Sequence, residues 1–396
     1  MSPSVLMWEH HAWDSPIRVG GRAFAERFLQ AGWSVAWING PLAPWNLFGG
    51  NDEVARRREC WRRGGREIAQ GPGRLFLYAP LAMVPYRRYP GLNRPWAHRH
   101  SLDGTLPSLW RILRERGFGR VDLLWLATGS PMLPLLRRLP HEKSLYRLSD
   151  DTSEFPDTPG SYRALEEEVL SRVDVVVATA ASLAERASRL GSRVLLLPNG
   201  VDGSRFMGVA RRDEGAGHPH RLGRIVYVGA LDSWFDWRKV QALSRAFPEA
   251  EILLAGPIRM DTSWAKDLPK VRLIGPVSPQ EVPQMLAGSD VGIIPFVDSP
   301  LTRSIHPVKL YEYFAAGLPV VASDLDEIRR IGSPALLAKS EAEWVEAVKA
   351  AWARHRREEA LAFAARHDWS SRFTALLDFL RESSPQAIGA RIGSGT

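Results

Sequence analysis

Lys309 and Glu312 are the charged side chains in an otherwise apolar run, PVKLYEYFAAGLPVVAS (307–323). The spacing predicts a helix over 307–316 followed by a buried strand, 319–322. Leu310, Phe314 and Leu318 are four apart and form the apolar stripe. Pro307 suits a helix start and Gly317 its end. The first amides of such a helix lack partners and carry roughly half a positive charge, which suits an anion. Lys309 adds a full charge there. Glu312 follows about 4.5 Å further along the axis, at about 1.5 Å per residue. A nucleoside diphosphate has that shape, with phosphates at the helix tip and ribose hydroxyls for a carboxylate. The same pair also fits a solvated i, i+3 ion pair, worth only a few tenths of a kcal/mol.

A second candidate is LYRLSDDTSEFP (145–156). Asp150 and Asp151 follow a predicted strand, 143–148, at its carboxyl end, where open α/β sheets bind ligands. A carboxylate there can take a proton from a hydroxyl, and the like charge of Asp151 would raise the basicity of Asp150. An Asx turn or helix cap accounts for the two residues equally well.

The elements that must position these residues alternate along the chain. Strands are predicted at 5–8, 34–38, 75–78, 122–126, 143–148, 174–178 and 193–197, with helices over 22–31, 106–116 and 162–171. Residues 207–223, MGVARRDEGAGHPHRLG, lack periodicity and read as a linker. The pattern then restarts with strands at 225–228, 251–255, 271–274, 291–295 and 319–322. Helices are predicted at 236–246, 279–288 and 307–316, with a further helical block over 340–383. Strand–helix alternation predicts parallel sheets covered on both faces. The expected organisation is an α/β domain over 1–206, the linker, and a second α/β domain over 224–366. A helix at 367–383 returns to the first domain, and the tail 384–396 is flexible. Two such Rossmann-like units are expected to face each other across a cleft.

The bulk composition fits two soluble domains. The 396 residues are 45% hydrophobic and 24% charged, ordinary for globular proteins and too long for one core. Cys60 is the single cysteine, which excludes an internal disulfide and favours a reducing, cytoplasmic setting. The N-terminal MSPSVLMWEHHAWDSP has no signal-peptide pattern, and no apolar run reaches the roughly 18 residues of a membrane span. The net charge is +8. Arg56, Arg57, Arg58, Arg62, Arg63 and Arg66 surround Trp61, and Arg87, Arg88, Arg94 and His98 follow. This is either a solvated helix face or a patch for an acidic substrate or for anionic lipid headgroups at the inner membrane face. No zinc-finger or RRM-like spacing points to nucleic acid.

PVKLYEYFAAGLPVVAS resembles the donor-binding segment of GT-B glycosyltransferases of bacterial cell-surface polysaccharide synthesis, a GT4-like pattern. VYVGALDSWFDW (226–237) resembles their donor-domain first strand and loop, PNGVD (198–202) the end of their acceptor domain, and AWDSPIRVGGRAFAERFLQAGWSVAWIN (12–39) their first strand–loop–helix unit. The resemblance implies the GT-B fold and a donor site of Lys309, Glu312, Gly229, Asp232, Trp234, Asp236 and Val277, with Arg303, Ser304 and His306 ahead of the helix. Many retaining members carry a glutamate where Ser304 stands. The stretch YRLSD resembles xanthan-type glucuronosyltransferases, which are inverting, and that resemblance implies Asp150 as general base. His11, Trp13, Asp14, Arg18 and Asp151 are the implied acceptor side, although loop packing explains the first four as well. Asp324–Leu325–Asp326 has a metal-binding spacing but sits between strand and helix, where capping explains it. No metal or cofactor is expected.

The expected function is transfer of a sugar from a nucleotide-diphosphate donor, a UDP-sugar, to a glycan or lipid-linked acceptor. A nucleotide-sugar 2-epimerase on the same scaffold and a non-catalytic nucleotide-sugar-binding subunit are the alternatives. A nicotinamide enzyme is not expected, because no strand leads into G-x-G-x-x-G.

Overall fold

The computed structural model describes residues 2–15, 20–86, 89, 91–127, 133–155, 158, 160–207, 209, 222–354 and 356–382. Arg18, Arg87, Arg88, His218, His220, the tail 384–396 and most of the expected linker lie outside them. The chain divides into two compact units, Met1–Pro198 with Phe373–Thr396, and Asn199–Arg372.

In the first unit the strands are β1 (Ser4–Glu9), β2 (Ser34–Asn39), β3 (Arg66–Gln70), β4 (Gly73–Tyr78), β5 (Leu81–Ala82), β6 (Thr105–Leu106), β7 (Val121–Ala127), β8 (His141–Leu148), β9 (Val175–Ala178) and β10 (Val194–Leu196). Eight of them form one sheet in the order β10-β9-β8-β7-β1-β2-β4-β3, and β5 pairs with β6. The sheet is parallel except at β3, which runs antiparallel to β4. Its central strands are continuous apolar runs because helices cover both faces. Leu6 and Trp8 on β1, Leu124 and Leu126 on β7, and Tyr146 and Leu148 on β8 share one core cluster. Side-chain alternation therefore puts Glu9, Trp125, Ala127 and Arg147 on the opposite face.

The second unit holds β11 (Arg224–Val228), β12 (Glu251–Ala255), β13 (Val271–Gly275), β14 (Val291–Ile294), β15 (Val320–Ser323) and β16 (Leu336–Ala338). They form a parallel sheet in the order β13-β12-β11-β14-β15-β16. The helical block resolves into Glu341–Arg354, Arg357–Ala365 and Trp369–Glu382.

Several expectations shift. The helix predicted from Leu106 begins at Leu109, with Ser108 as N-cap. Pro107 disfavours helical backbone at the residue before it, and Leu106 instead belongs to β6. Strand β3, REIAQ, is polar and mostly exposed, so no hydrophobic pattern announces it. Residues 199–206, read as the end of the first domain, belong to the second unit. Asn199 Nδ2 donates to the His306 carbonyl at 2.8 Å, Val201 forms a bridge with Asp368, and Phe206 lies in the second unit's core.

The helix of the opening motif is Val308–Ala315, with Pro307 as its N-cap rather than its first residue. Gly317 adopts φ +71° beyond the last turn, the left-handed stop that glycine makes cheaply. Gly292 on β14 has no side chain, and a Cβ there would lie 2.5 Å from the Tyr313 ring. The space lets Tyr313 cross to β11, where its hydroxyl accepts from the Val228 amide at 2.7 Å. Tyr313→Phe leaves that amide without its acceptor. The expected cost is about 1–2 kcal/mol, read as a lower urea midpoint with unchanged slope.

Candidate functional site

The donor-side residues gather at the carboxyl end of the second sheet. Lys309, in the first turn of the helix Val308–Ala315, extends across the ends of β11 and β14. Its Nζ lies 5.0 Å from the Tyr227 ring centroid and 5.1 Å from that of Phe296. Two aromatic faces attract a cation but supply neither counter-charge nor acceptor. Among the described residues Lys309 makes no hydrogen bond or close ion pair. Loss of water around the ammonium lowers its pKa to about 8, while Glu312 opposes the shift. Gly229 closes the other side, since a Cβ there would meet the Lys309 Nζ at 2.7 Å. Any side chain at 229 would occupy the ammonium's place. Glu312 faces Arg205, with Oε1 to Nη1 at 3.6 Å, and Arg205 is itself held by the Pro279 carbonyl at 2.6 Å.

The other donor-side expectations are placed unevenly. Val277 packs against the core that contains the motif helix. Trp234 donates from Nε1 to the Ala230 carbonyl at 3.2 Å, closing the loop after β11. Asp232 and Asp236 line a cavity of about 320 Å³ with Phe235, Trp237, Met260 and Val297. Asp236 also caps the helix Trp237–Ala246 and lies 3.3 Å from Lys239 Nζ. Lys239, which the sequence reading passed over, is buried and also donates to the Phe296 carbonyl and to Ser323 Oγ, each at 2.9 Å. Arg303 does not turn toward Lys309; its exposed guanidinium is engaged by Asp298 at 2.7 and 3.2 Å. Ser304 is buried and donates to the Leu301 carbonyl at 2.8 Å. His306 is buried, 3.1 Å from the Tyr311 hydroxyl and stacked on that ring. Asp324 and Asp326 both engage Arg329.

On the first unit, Asp150 lies just past the end of β8, partly buried. Burial raises its pKa to about 6, Ser149 and Arg147 pull it back, and Glu166 adds to the rise. The expectation that Asp151 raises it is corrected. Asp151 is turned away to Arg186 at 2.9 Å and to Ser153. Arg186 also engages the buried Glu166, which accepts from Tyr146 at 2.6 Å and Tyr162 at 2.9 Å.

Two residues that the motif reading missed complete this group. Glu9 ends β1 and Arg147 lies near the end of β8, both buried. Strand β7 runs between them, with Leu126 beside Trp8 and Ala127 beside Arg147. A methyl at 127 leaves the space above β7 open to the longer side chains. Glu9 accepts from Trp125 Nε1 at 2.9 Å and lies against Gly21, near the start of the helix Gly20–Gln30, where a Cβ would clash with its carboxylate. Burial raises the Glu9 pKa to about 7 despite Arg147 and Trp125, and Arg147 feels both Glu9 and Asp150. The usable signal was an acid ending a buried strand and an arginine inside an apolar one.

The loop after β1 is bound to the arginine-rich helix Asp52–Arg62. The Ala12 amide donates to Glu53 at 2.5 Å, Arg57 donates to the His10 carbonyl, and Arg66 grips both Asp14 oxygens at 3.0 Å. The His11 carbonyl accepts from Trp37 Nε1 and Asn39 Nδ2. Trp13 is buried against the Trp37 ring with the Arg22 guanidinium over it. His11, Trp13 and Asp14 are thus structural members of the loop, whatever else they do.

Residues 223–354 match the family model for glycosyl transferases group 1. TuaH of Bacillus subtilis (strain 168), named for teichuronic acid biosynthesis, is 31% identical over 112 residues, 27% of this chain and 28% of that protein. The phosphatidyl-myo-inositol mannosyltransferase of Mycolicibacterium smegmatis is 31% identical over 185 residues, 43% of this chain and 44% of that one. The chain therefore spans less than half the length of these relatives. Over the whole chain, sucrose-phosphate synthase from Thermosynechococcus elongatus superposes with TM-score 0.67 at 17% identity, covering 96% of this chain and 98% of that one. HepE of Anabaena, solved with UDP and glucose, superposes with TM-score 0.63 at 14% identity, covering 96% and 100%.

The unpaired proton on Glu9 gives a stability signature. The native state keeps this proton up to about pH 7, whereas the unfolded chain releases it near 4.5. Raising pH through that window therefore favours the unfolded state, by roughly 3 kcal/mol in all. Glu9→Gln should remove that loss, so chemical denaturation at pH 5 and pH 8 should differ less in the variant than in the parent.

Proposed function

We propose that this chain, a GT-B protein whose residues 223–354 match the glycosyl transferases group 1 model, moves a sugar from a UDP-sugar to a hydroxyl of a glycan or lipid-linked acceptor. The observation that carries the reading is the Lys309 ammonium. It sits in an aromatic sleeve at the start of a helix, lowered in basicity and without a counter-ion in contact. A diphosphate completes it, and Glu312 one turn on receives ribose hydroxyls. Relatives named as glycosyltransferases and a like-folded protein solved with UDP support the same donor class.

In this reading Asp150 accepts the proton of the acceptor hydroxyl as its oxygen bonds to the anomeric carbon. The bond from that carbon to the diphosphate breaks, and the charge left on the diphosphate is met by Lys309 and the helix amides. That positive charge lets the reaction run without a metal. Ser304 leaves no second glutamate beside the sugar, and together with a base on the acceptor this favours inversion. The named acceptor of the mycobacterial relative is a lipid, which supports a lipid-linked acceptor and work at the cytoplasmic membrane face.

Asp150→Ala should lower turnover by about 10²–10⁴-fold while UDP still raises the melting temperature. Turnover should survive a chelator, and release of a free sugar epimer without acceptor would instead identify an epimerase. Lys309→Met should abolish the UDP-induced shift. In the parent that shift should shrink as pH rises beyond about 8, where free Lys309 loses its proton. A full-size shift from the Lys309 variant would remove this helix from the donor site.

A further inference from the structure

The stretch 45–106 concentrates two properties at once. It carries eleven arginines and no lysine against five carboxylates, six of the chain's eight net positive charges. It also carries six of the eleven large apolar side chains exposed among the described residues: Trp45, Phe48, Met83, Tyr89, Trp96 and Leu106. Single exposed apolar residues are ordinary, but these are connected. Trp45 and Tyr89 meet edge to face at 5.5 Å. Phe48, 92% exposed, follows Trp45 at the end of the short 3-10 turn Pro44–Leu47. The Asn93 amide donates to the Tyr89 carbonyl, and Asn93 leads directly into the helix Pro95–His100 that carries Trp96. Arg58 ties the helix Asp52–Arg62 to the same loop through the Asn46 carbonyl at 3.0 Å. Arg56, Arg62 and Arg94 make no ion pair among the described residues.

The position of this surface is fixed by the sheet. Residues 40–51 leave the carboxyl end of β2, and β5 follows the carboxyl end of β4. In a parallel arrangement these ends share an edge with the ends of β1 and β8, which carry Glu9, Arg147 and Asp150. The arginine-rich helix grips the loop after β1 through Glu53 and Arg57.

We infer that Trp45, Phe48, Tyr89 and Trp96, flanked by Arg62 and Arg94, dock on an anionic lipid bilayer, so that the acceptor is a lipid presented from that bilayer to the Asp150 edge. Aromatic rings settle at the headgroup boundary, and guanidinium groups pair with lipid phosphates. A neutral protein partner would not call for uncompensated arginines beside the rings. The inference rests on the acceptor half of the proposed function and extends it to a membrane-embedded substrate.

The test is sedimentation of the full chain with phosphatidylcholine vesicles, with and without phosphatidylglycerol, at low and high salt. The parent should bind the anionic vesicles and release in salt. Phe48→Ser/Trp96→Ser and Arg62→Glu/Arg94→Glu should each lower the bound fraction's partition coefficient by about tenfold or more. Both should keep the parent's melting temperature and its UDP-induced shift, which report folding and the donor site separately. Equal partition of parent and both variants, or binding indifferent to lipid charge, overturns the inference. So does a solution dimer that the Phe48/Trp96 variant splits, because the surface would then serve a second copy. A parent that binds vesicles but shows no UDP shift leaves the docking surface standing and rejects the donor reading instead.

Discussion

Withdrawing an ionised group from water is costly unless a partner accompanies it, and this chain partly buries such groups at the carboxyl ends of both its sheets. At the end of β11 the group is the Lys309 ammonium, held by aromatic faces that attract it without neutralising it. The surrounding structure is arranged to tolerate that. Gly229 withholds a side chain, Tyr313 anchors the helix to β11, and Gly292 leaves room for the anchor. Lys239 shows the contrast, since a buried ammonium with three oxygen neighbours in contact is a strut.

The first unit meets the same problem with carboxylates. Glu166 is neutralised by Arg186 and fixed by two tyrosine hydroxyls, which makes it a structural acid. Glu9 and Asp150 share the influence of a different arginine, Arg147, and burial holds them, like Glu166, above the ordinary carboxylate range. An acid poised near neutrality can exchange a proton at low cost. Burial is what raises the basicity of Asp150, with Glu166 adding to the rise and Arg147 and Ser149 opposing it. Its neighbour Asp151 takes no part, because it belongs to the fixed group.

The alternation of strands and helices was legible because the central strands are long apolar runs and the motif helix has a clean stripe. The Lys309–Glu312 spacing and the position of Asp150 past β8 are local facts, so the sequence discloses them. Partners are not local. Asp14 looks like a free loop carboxylate until β3 brings Arg66 to it, and Arg303 looks like a phosphate ligand until Asp298 folds back on it. Glu9 and Arg147 come to flank one strand, and to feel each other's charge, through the order β1-β7-β8 with alanine on the strand between them, an order that no reading of consecutive residues reveals.

Strand β3 has a role that its composition explains. It is the outermost ribbon of the large sheet, reversed against its neighbour, with Arg66, Glu67, Ala69 and Gln70 exposed. Bare β-edges recruit strands from other molecules, and charge is a common deterrent. Here Glu67 is further engaged by Arg116 at 3.1 Å, so the border is both hydrated and cross-tied. The protein is thereby protected on this flank from edge-to-edge polymerisation, and the guard also steadies the Asp14 loop.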